Sequence, residues 1–165
     1  MRQSNRLPLA HLPTPLQRLS HLSTSLGIEL WTKRDDLTGL AFGGNKTRKL
    51  QWLVHDAINK NATVLITTGA PQSNHCRQTA AAAKVVGMKC ALVLGGNGSK
   101  ERTGNLLLDH LLGAEVHWLD RADRVEKINC VATELQSQGE TPYVIPLGGS
   151  NGFGAASYIE AAHEL

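Results

Sequence analysis

Little in this sequence is aromatic: Phe, Trp and Tyr together make up 4% of 165 residues. Binding nucleic acid by stacking needs such side chains interleaved with a basic stripe, and here the net charge is only +3 with the basic residues scattered. Cysteine is scarce too. Cys76, Cys90 and Cys130 are odd in number and far apart, which argues against a disulfide framework and a CxxC metal site and implies a reducing compartment. No apolar run approaches a membrane span, and the start, MRQSNRLPLAHLPTP, has no apolar core of signal-peptide length. Internal repeats, low-complexity tracts and evident linkers are missing as well. What remains is a chain of single-domain length, 41% hydrophobic and able to form a real core. The expectation is a soluble cytoplasmic protein that handles small molecules, with no nucleic acid, membrane or metal partner.

After a lead-in carrying Pro8, Pro13 and Pro15, which should be extended, short β-branched runs alternate with longer helical patterns. Strands are expected at 62–68, 89–94, 115–119 and 142–145, and helices at 74–86, 103–112 and 125–138. Consecutive apolar positions within the strands fit a parallel sheet covered on both faces, so the fold class is α/β with an open parallel sheet. The last stretch, PLGGSNGFGAASYIEAAHEL, opens a new helix after a glycine-rich loop and stops with no C-cap glycine, the pattern expected of a truncated chain.

The stretch GGNKTRKLQWL, Gly43 to Leu53, places three cations in four residues between a glycine pair and an apolar run. Leu50, Leu53, Val54, Ala57 and Ile58 repeat at helical spacing, with Arg48, Gln51, His55 and Asn59 around the other side. Lys46 lies four residues before Leu50, and Lys49 four before Leu53, which puts both lysines on the inward stripe. A lysine there needs an anion, a carbonyl partner or a route to solvent. The glycines leave room for a close approach, and the helix start offers free N–H groups to an anion. Three readings are open. Lys46 is a snorkelling side chain, or part of a phosphate loop, or a lysine that forms a Schiff base, with Lys49 or Arg48 lowering its pKa. The phosphate-loop reading is weak because Asn45 stands where GxxxxGK[ST] requires glycine.

A second constellation follows the strand VLITT: Gly69-Ala70-Pro71-Gln72-Ser73-Asn74-His75-Cys76-Arg77. In an open α/β sheet, ligands bind beyond the carboxyl ends of the strands, and Ser73 or Asn74 is a natural N-cap for the next helix. The bland alternative is that they cap an alanine-rich helix and nothing more. The His75–Cys76 pair makes neither a nucleophile pair nor a metal site, since adjacent helical residues diverge and no further ligand spacing supports it. The N-x-[ST] triplets at Asn45, Asn61 and Asn97 are chance matches in the absence of a signal peptide. LGGNGS and LGGSNGFG lack the GxGxxG pattern, which disfavours a dinucleotide site.

Taken together, LTGLAFGGNKTRKLQWL, GAPQSNHCRQTAAAA and IPLGGSNGFGAASY resemble the pyridoxal-phosphate enzymes of the D-cysteine desulfhydrase and 1-aminocyclopropane-1-carboxylate deaminase family. The likeness runs from Pro13 to the end of the chain, about half the length of a family member. It implies a tryptophan-synthase-β type (fold type II) architecture. In this sequence residues 1–60 would belong to a large domain, 61–146 would form a small βαβ domain, and 147–165 would be a hinge leading into the next large-domain helix. It also implies pyridoxal 5'-phosphate as cofactor, a small amino acid as substrate and a homodimer. By position Lys46 would hold the cofactor and shuttle protons at the substrate α-carbon, and Lys49 would approach its phosphate. Asn74 would bond the phenolic oxygen, and Ser73, Asn74 and His75 would hold the substrate, with Ser73 also catalytic. The deaminases usually read QSNQTR where this chain has QSNHCR, so the resemblance leans to D-cysteine desulfhydrase, with the deaminase or L-cysteate sulfo-lyase as alternatives. Alternatives of another class are a non-catalytic half-domain and a simple phosphate-binding module.

Overall fold

The computed structural model describes residues 6–98, 103–119 and 123–165. The first five residues of the lead-in and Ser99 of the LGGNGS run lie outside them. In chain order the elements are β1 (Leu16–Arg18), α1 (Ser20–Leu26), β2 (Trp31–Lys33), α2 (Lys46–Asn59), β3 (Val64–Gly69) and α3 (Asn74–Val85). Then come β4 (Lys89–Gly95), α4 (Gly104–Leu111), β5 (Glu115–Leu119), α5 (Arg124–Ser137), β6 (Pro142–Val144) and α6 (Gly152–His163). Single 3-10 turns sit at Asp35–Leu37, Leu40–Phe42 and Leu147–Gly149.

The four expected strands form one parallel sheet in the order β5-β4-β3-β6, within one or two residues of the expected boundaries. Their side chains alternate between two cores, as the pleat requires. Leu65, Leu92 and Leu94 pack with residues of α2, α3 and α4 on one face. On the other, Val64, Ile66, Ala91 and Val93 meet Ile128, Val131 and Leu135 of α5. Helices therefore cover both faces, which is why the strands read as unbroken apolar runs. The antiparallel pair β1–β2 and the short helix α1 carry mostly exposed residues, so no periodicity announces them in the sequence. No helix among the described residues is long and apolar enough to cross a membrane.

Helix α2 differs from the expected pattern on both sides. Leu50, Leu53, Val54 and Ala57 are fully buried as predicted, but Ile58 is 38% exposed. Arg48 and Gln51, assigned to the solvent side, are each only 1% exposed. The reason is that α2 packs on more than the sheet: α3 flanks it and α6 lies along it. Gln51 uses its backbone carbonyl to accept from Leu7 N and its Oε1 to accept from Ala10 N, tying the lead-in to the helix.

Arg48 is buried with its charge answered. Its Nε donates to both carboxylate oxygens of Asp35, at 3.0 and 2.9 Å, and Nη2 to Asp35 Oδ1 at 2.9 Å. Nη1 and Nη2 form a fork on Glu164 at 2.8 Å each, and Nη2 also reaches Thr14 Oγ1 at 3.0 Å. Lys33 Nζ adds a second cation 2.7 Å from Glu164. The guanidinium spreads its donors over a planar array of acceptors, the geometry for which arginine is suited. Arg48 first, and Lys33 after it, hold the Glu164 carboxyl down to about 2.

Two outcomes follow for the intact protein. Arg48→Met should lower stability by about 1–3 kcal/mol, because it removes the buried fork from both carboxylates and leaves Asp35 with Thr14 and Glu164 with Lys33; the shift of the urea unfolding midpoint measures it, and an unchanged midpoint would contradict the assignment. Glu164 has a folded-state pKa below its ordinary value, so its contribution is complete above about 4.5 and is lost as pH falls toward about 2. Urea midpoints measured across that window should fall less steeply in Glu164→Gln than in the parent.

Candidate functional site

The site is assembled where β3 and β6 end. Helix α3 starts just beyond β3, and the 3-10 turn Leu147–Gly149 follows β6. Lys46 and Lys49 occupy the first turn of α2, both half-buried. They meet the turn after β6: Lys49 Nζ donates to the Gly148 carbonyl at 3.0 Å and to Ser150 Oγ at 3.3 Å. A methyl placed on Gly148 would touch Lys46 Cε at 3.6 Å, and one on Gly149 would lie 3.4 Å from Lys49 Cδ and 3.5 Å from His75 Cε1. Lys46, Lys49 and His75 are thus gathered around one glycine pair. That pair belongs to the LGGSNGFG run, which lacks a dinucleotide pattern but is one of the three stretches that carry the family resemblance. Its bare backbone is what lets the lysines lie against it.

Burial lowers the Lys49 pKa, and the Lys46 charge lowers it further. His75 is 3% exposed, and its pKa falls to about 4, through burial first and then the charges of Lys46 and Lys49; a backbone contact at Pro146 opposes the shift. The imidazole is therefore neutral at pH 7. Its Nε2 lies 2.9 Å from Thr67 Oγ1, whose single hydroxyl hydrogen points to the Ile145 carbonyl at 2.9 Å. Thr67 hence accepts from Nε2–H, and Nδ1 is buried with no hydrogen-bond partner among the described residues. Sequence reasoning missed Thr67, which sits inside an apolar strand and has no motif to mark it.

Ser73 is the N-cap of α3, its Oγ accepting from Cys76 N at 3.3 Å. Asn74 follows and is exposed at the helix start. Cys76 is fully buried, and burial pushes its thiol up to about 12, so it is no nucleophile at neutral pH. Beside it in the core, Asp109 has no hydrogen-bond partner for either oxygen among the described residues, and burial pushes its carboxyl up to about 7 against the pull of Arg77.

The glycine pair before Lys46 serves a different purpose from the expected one. Gly43 has φ +71°, and a Cβ there would fall 2.0 Å from the Asp36 carbonyl oxygen; Gly44 has φ +134°, and its Cβ would fall 2.2 Å from Gln78 Nε2. The space is filled by the chain itself. Gly44 N donates to the Asp35 carbonyl and to Thr38 Oγ1, while the Gly43 carbonyl accepts from Arg77 Nη2 and Gln78 Nε2. The turn that delivers Lys46 is locked to α3.

Chemically, the cluster offers a primary amine at Lys46, whose hydrogen bond goes to the adjacent Asn45 Oδ1 at 3.1 Å, and a second cation at Lys49. It adds a helix N-terminus at Ser73–Asn74, an Asn74 amide nitrogen with no hydrogen bond among the described residues, and a neutral imidazole. That donor set suits an anionic ligand that also carries a carbonyl. A surface hollow of about 880 Å³ along α5, by Asn129 and Cys130, lies elsewhere.

Comparison with known proteins agrees. The family profile described as pyridoxal-phosphate dependent enzyme matches residues 7–165. The D-cysteine desulfhydrase of Klebsiella pneumoniae (strain 342) is 47% identical over 166 residues, covering 97% of this chain and 51% of that protein. That of Yersinia enterocolitica serotype O:8 / biotype 1B is 46% identical over 169 residues, covering 99% and 51%. A crystal structure described as an ACC deaminase homologue superposes with a TM-score of 0.90 at 43% identity, covering 96% of this chain and 49% of the other. The chain spans about half the length of the curated relatives it matches.

The burial of His75 has a direct test. Its side-chain NMR signals in the intact protein should titrate with a midpoint of about 4, and a midpoint above 6 would contradict the site as described. The folded pKa lies below the ordinary value of 6.5, so this group disfavours the folded state progressively as pH falls from 6.5 toward 4.

Proposed function

The chain belongs to the pyridoxal-phosphate dependent enzymes, and from that premise we propose that the protein eliminates sulfide from D-cysteine, yielding pyruvate and ammonia. The observation that carries this reading is the Lys46 amine, held half-buried with Lys49 and His75 against the Gly148–Gly149 backbone at the carboxyl end of a parallel sheet. The relatives named D-cysteine desulfhydrase support the substrate.

The residues present fit the cofactor: an amine for its aldehyde carbon, cations for its phosphate and an unpaired donor for its phenolic oxygen. When bound, pyridoxal phosphate supplies an electron sink that acidifies the α-hydrogen of an amino acid and lets a β-substituent leave. Lys46 Nζ would hold the cofactor and move the proton at the substrate α-carbon. Lys49, its amine fixed by Gly148 and Ser150, would supply positive charge for the phosphate. Asn74 donates to the phenolic oxygen. The Ser73 hydroxyl and the N–H groups at the α3 start orient the substrate carboxylate. His75, neutral and enclosed, acts on that carboxylate through the position of α3 rather than through charge. The atoms balance as D-cysteine plus water giving pyruvate, ammonia and hydrogen sulfide.

In this reading residues 61–146 form the smaller βαβ unit, and residues 1–60 and 147–165 belong to a larger one. The protein works as a cytoplasmic homodimer. A second reading, opening of 1-aminocyclopropane-1-carboxylate to 2-oxobutanoate, is favoured by the likeness to the ACC deaminase homologue.

The test uses the intact protein supplied with pyridoxal phosphate. Borohydride reduction should fix the cofactor on the peptide carrying Lys46, and D-cysteine should give equimolar pyruvate and sulfide. Lys46→Ala should lose the label, the visible absorbance of the bound cofactor and at least about a thousandfold in turnover, as expected when proton transfer and covalent binding are removed together. Label on another lysine would sink the proposal. Release of 2-oxobutanoate from the cyclopropane amino acid, with no sulfide from D-cysteine, would favour the second reading.

A further inference from the structure

Asn74 stands exposed at the first turn of α3 with one side of its amide clamped. Its Oδ1 accepts from Arg77 Nη1 at 3.0 Å and from Asn105 Nδ2 at 2.9 Å. Arg77 Nη1 also donates to Asn105 Oδ1 at 2.7 Å, and Asn105 Nδ2 donates to the Gln72 carbonyl at 2.7 Å. The backbone of Asn105 is held in turn, its N–H donating to Gln72 Oε1 at 2.8 Å.

The polarity of this network is forced. A guanidinium has N–H donors and no acceptor, so the amide atom of each asparagine that faces Arg77 is its oxygen. The nitrogen of Asn105 then meets two acceptors, the Gln72 carbonyl and Asn74 Oδ1. With Asn74 Oδ1 taken by two donors, what Asn74 has left to offer is Nδ2, which makes no hydrogen bond among the described residues. Turning that amide over would set N–H against N–H. Arg77 is an expensive way to fasten side chains: it is 8% exposed, its hydrogen-bond acceptors are neutral oxygens of Asn74, Asn105 and Gly43, the Asp109 carboxyl acts on it through space, and its Nε is buried with no hydrogen-bond partner among the described residues. Such an arrangement contributes more to orientation than to stability.

We propose that Arg77, seconded by Asn105, is a positioning residue that fixes the Asn74 amide with its nitrogen outward, so that this site selects an anionic oxygen. Under the reading above, on which this inference rests, that oxygen is the phenolic oxygen of pyridoxal phosphate. Through Nη2 the same guanidinium holds the carbonyl of Gly43, three residues before Lys46. One side chain therefore sets both the donor for the ring and the turn that delivers the amine.

The experiment titrates the visible band of the bound cofactor against pH, and measures cofactor dissociation, in the intact protein. The variants are Asn74→Ala, Arg77→Met, Asn105→Ala and Arg77→Met in the Asn74→Ala background. A donor to the phenolic oxygen favours its deprotonated form, so loss of that donor raises the titration midpoint. Asn74→Ala and Arg77→Met should each raise it by about one pH unit, Asn105→Ala by less, and cofactor should dissociate faster in all three. Because Arg77 acts on the ring oxygen through Asn74, Arg77→Met should add only a small part of its single-variant shift once Asn74 is alanine, the remainder coming through the Gly43 turn. Parent midpoints in Arg77→Met and Asn105→Ala, or a full additional shift in the double variant, would overturn the inference. If Arg77→Met does not fold, Asn105→Ala decides on the same criterion. Borohydride labelling separates the two claims. With Lys46 labelled in the parent and the midpoints unmoved, the inference falls alone; with no label on Lys46, the functional reading falls and the inference with it.

Discussion

One buried guanidinium holds together stretches of chain far apart in sequence. Arg48 ties the lead-in at Thr14, the turn at Asp35, helix α2 and the Glu164 carboxylate beyond α6 into a single charge cluster, with Lys33 completing it. Its value lies in rotation as much as in energy. Successive residues on a helix diverge by about 100°, so a helix that must bury Arg48 toward Asp35 and Glu164 has no freedom in where Lys46 and Lys49 go. They are turned toward the Gly148–Ser150 backbone, and the site exists because of that rotation. A lysine at position 48 would offer a compact charge in place of the planar fork that meets both carboxylates.

The second constraint is the close approach of the Gly43–Gly44 turn to α3. The Asp36–Thr38 backbone and Gln78 occupy the volume where side chains would stand, and Arg77 and Gln78 donate to the Gly43 carbonyl, so the glycines are spacers for the protein's own packing. The consequence reaches the electrostatics. Two lysines lie beside an enclosed imidazole, and desolvation together with like charge keeps that imidazole neutral, so the positive field of the site comes from the lysines and the start of α3.

Much of the architecture was legible. The β3, β4, β5 and β6 strands are flanked by helices on both faces, and burial on both sides writes itself as consecutive apolar residues between polar turns. Lys46 and the Ser73-Asn74-His75 segment stood out because polar groups gathered at a strand end and at helix starts lie where an open α/β sheet binds ligands. The faces of α2 were legible only in part. Hydropathy put Arg48 and Gln51 outside and Ile58 inside, whereas Arg48 finds its anions 13 residues before it and 116 after it. A pattern confined to one helix has no access to partners at that separation. Asn105 and Thr67 were missed for the same reason, since each matters through one contact made across the fold.

By itself the sequence determined the alternation of strands and helices, the parallel sheet and which residues are candidates for the site, because periodicity and residue chemistry are local properties. Tertiary structure decided which way those groups face: the rotation of α2 through Arg48, the polarity of the Asn74 amide through Arg77, the neutrality of His75 through burial beside two lysines. Each of these depends on charges and donors brought together from distant positions, where the cost of leaving a buried polar group unpaired selects one orientation over the others.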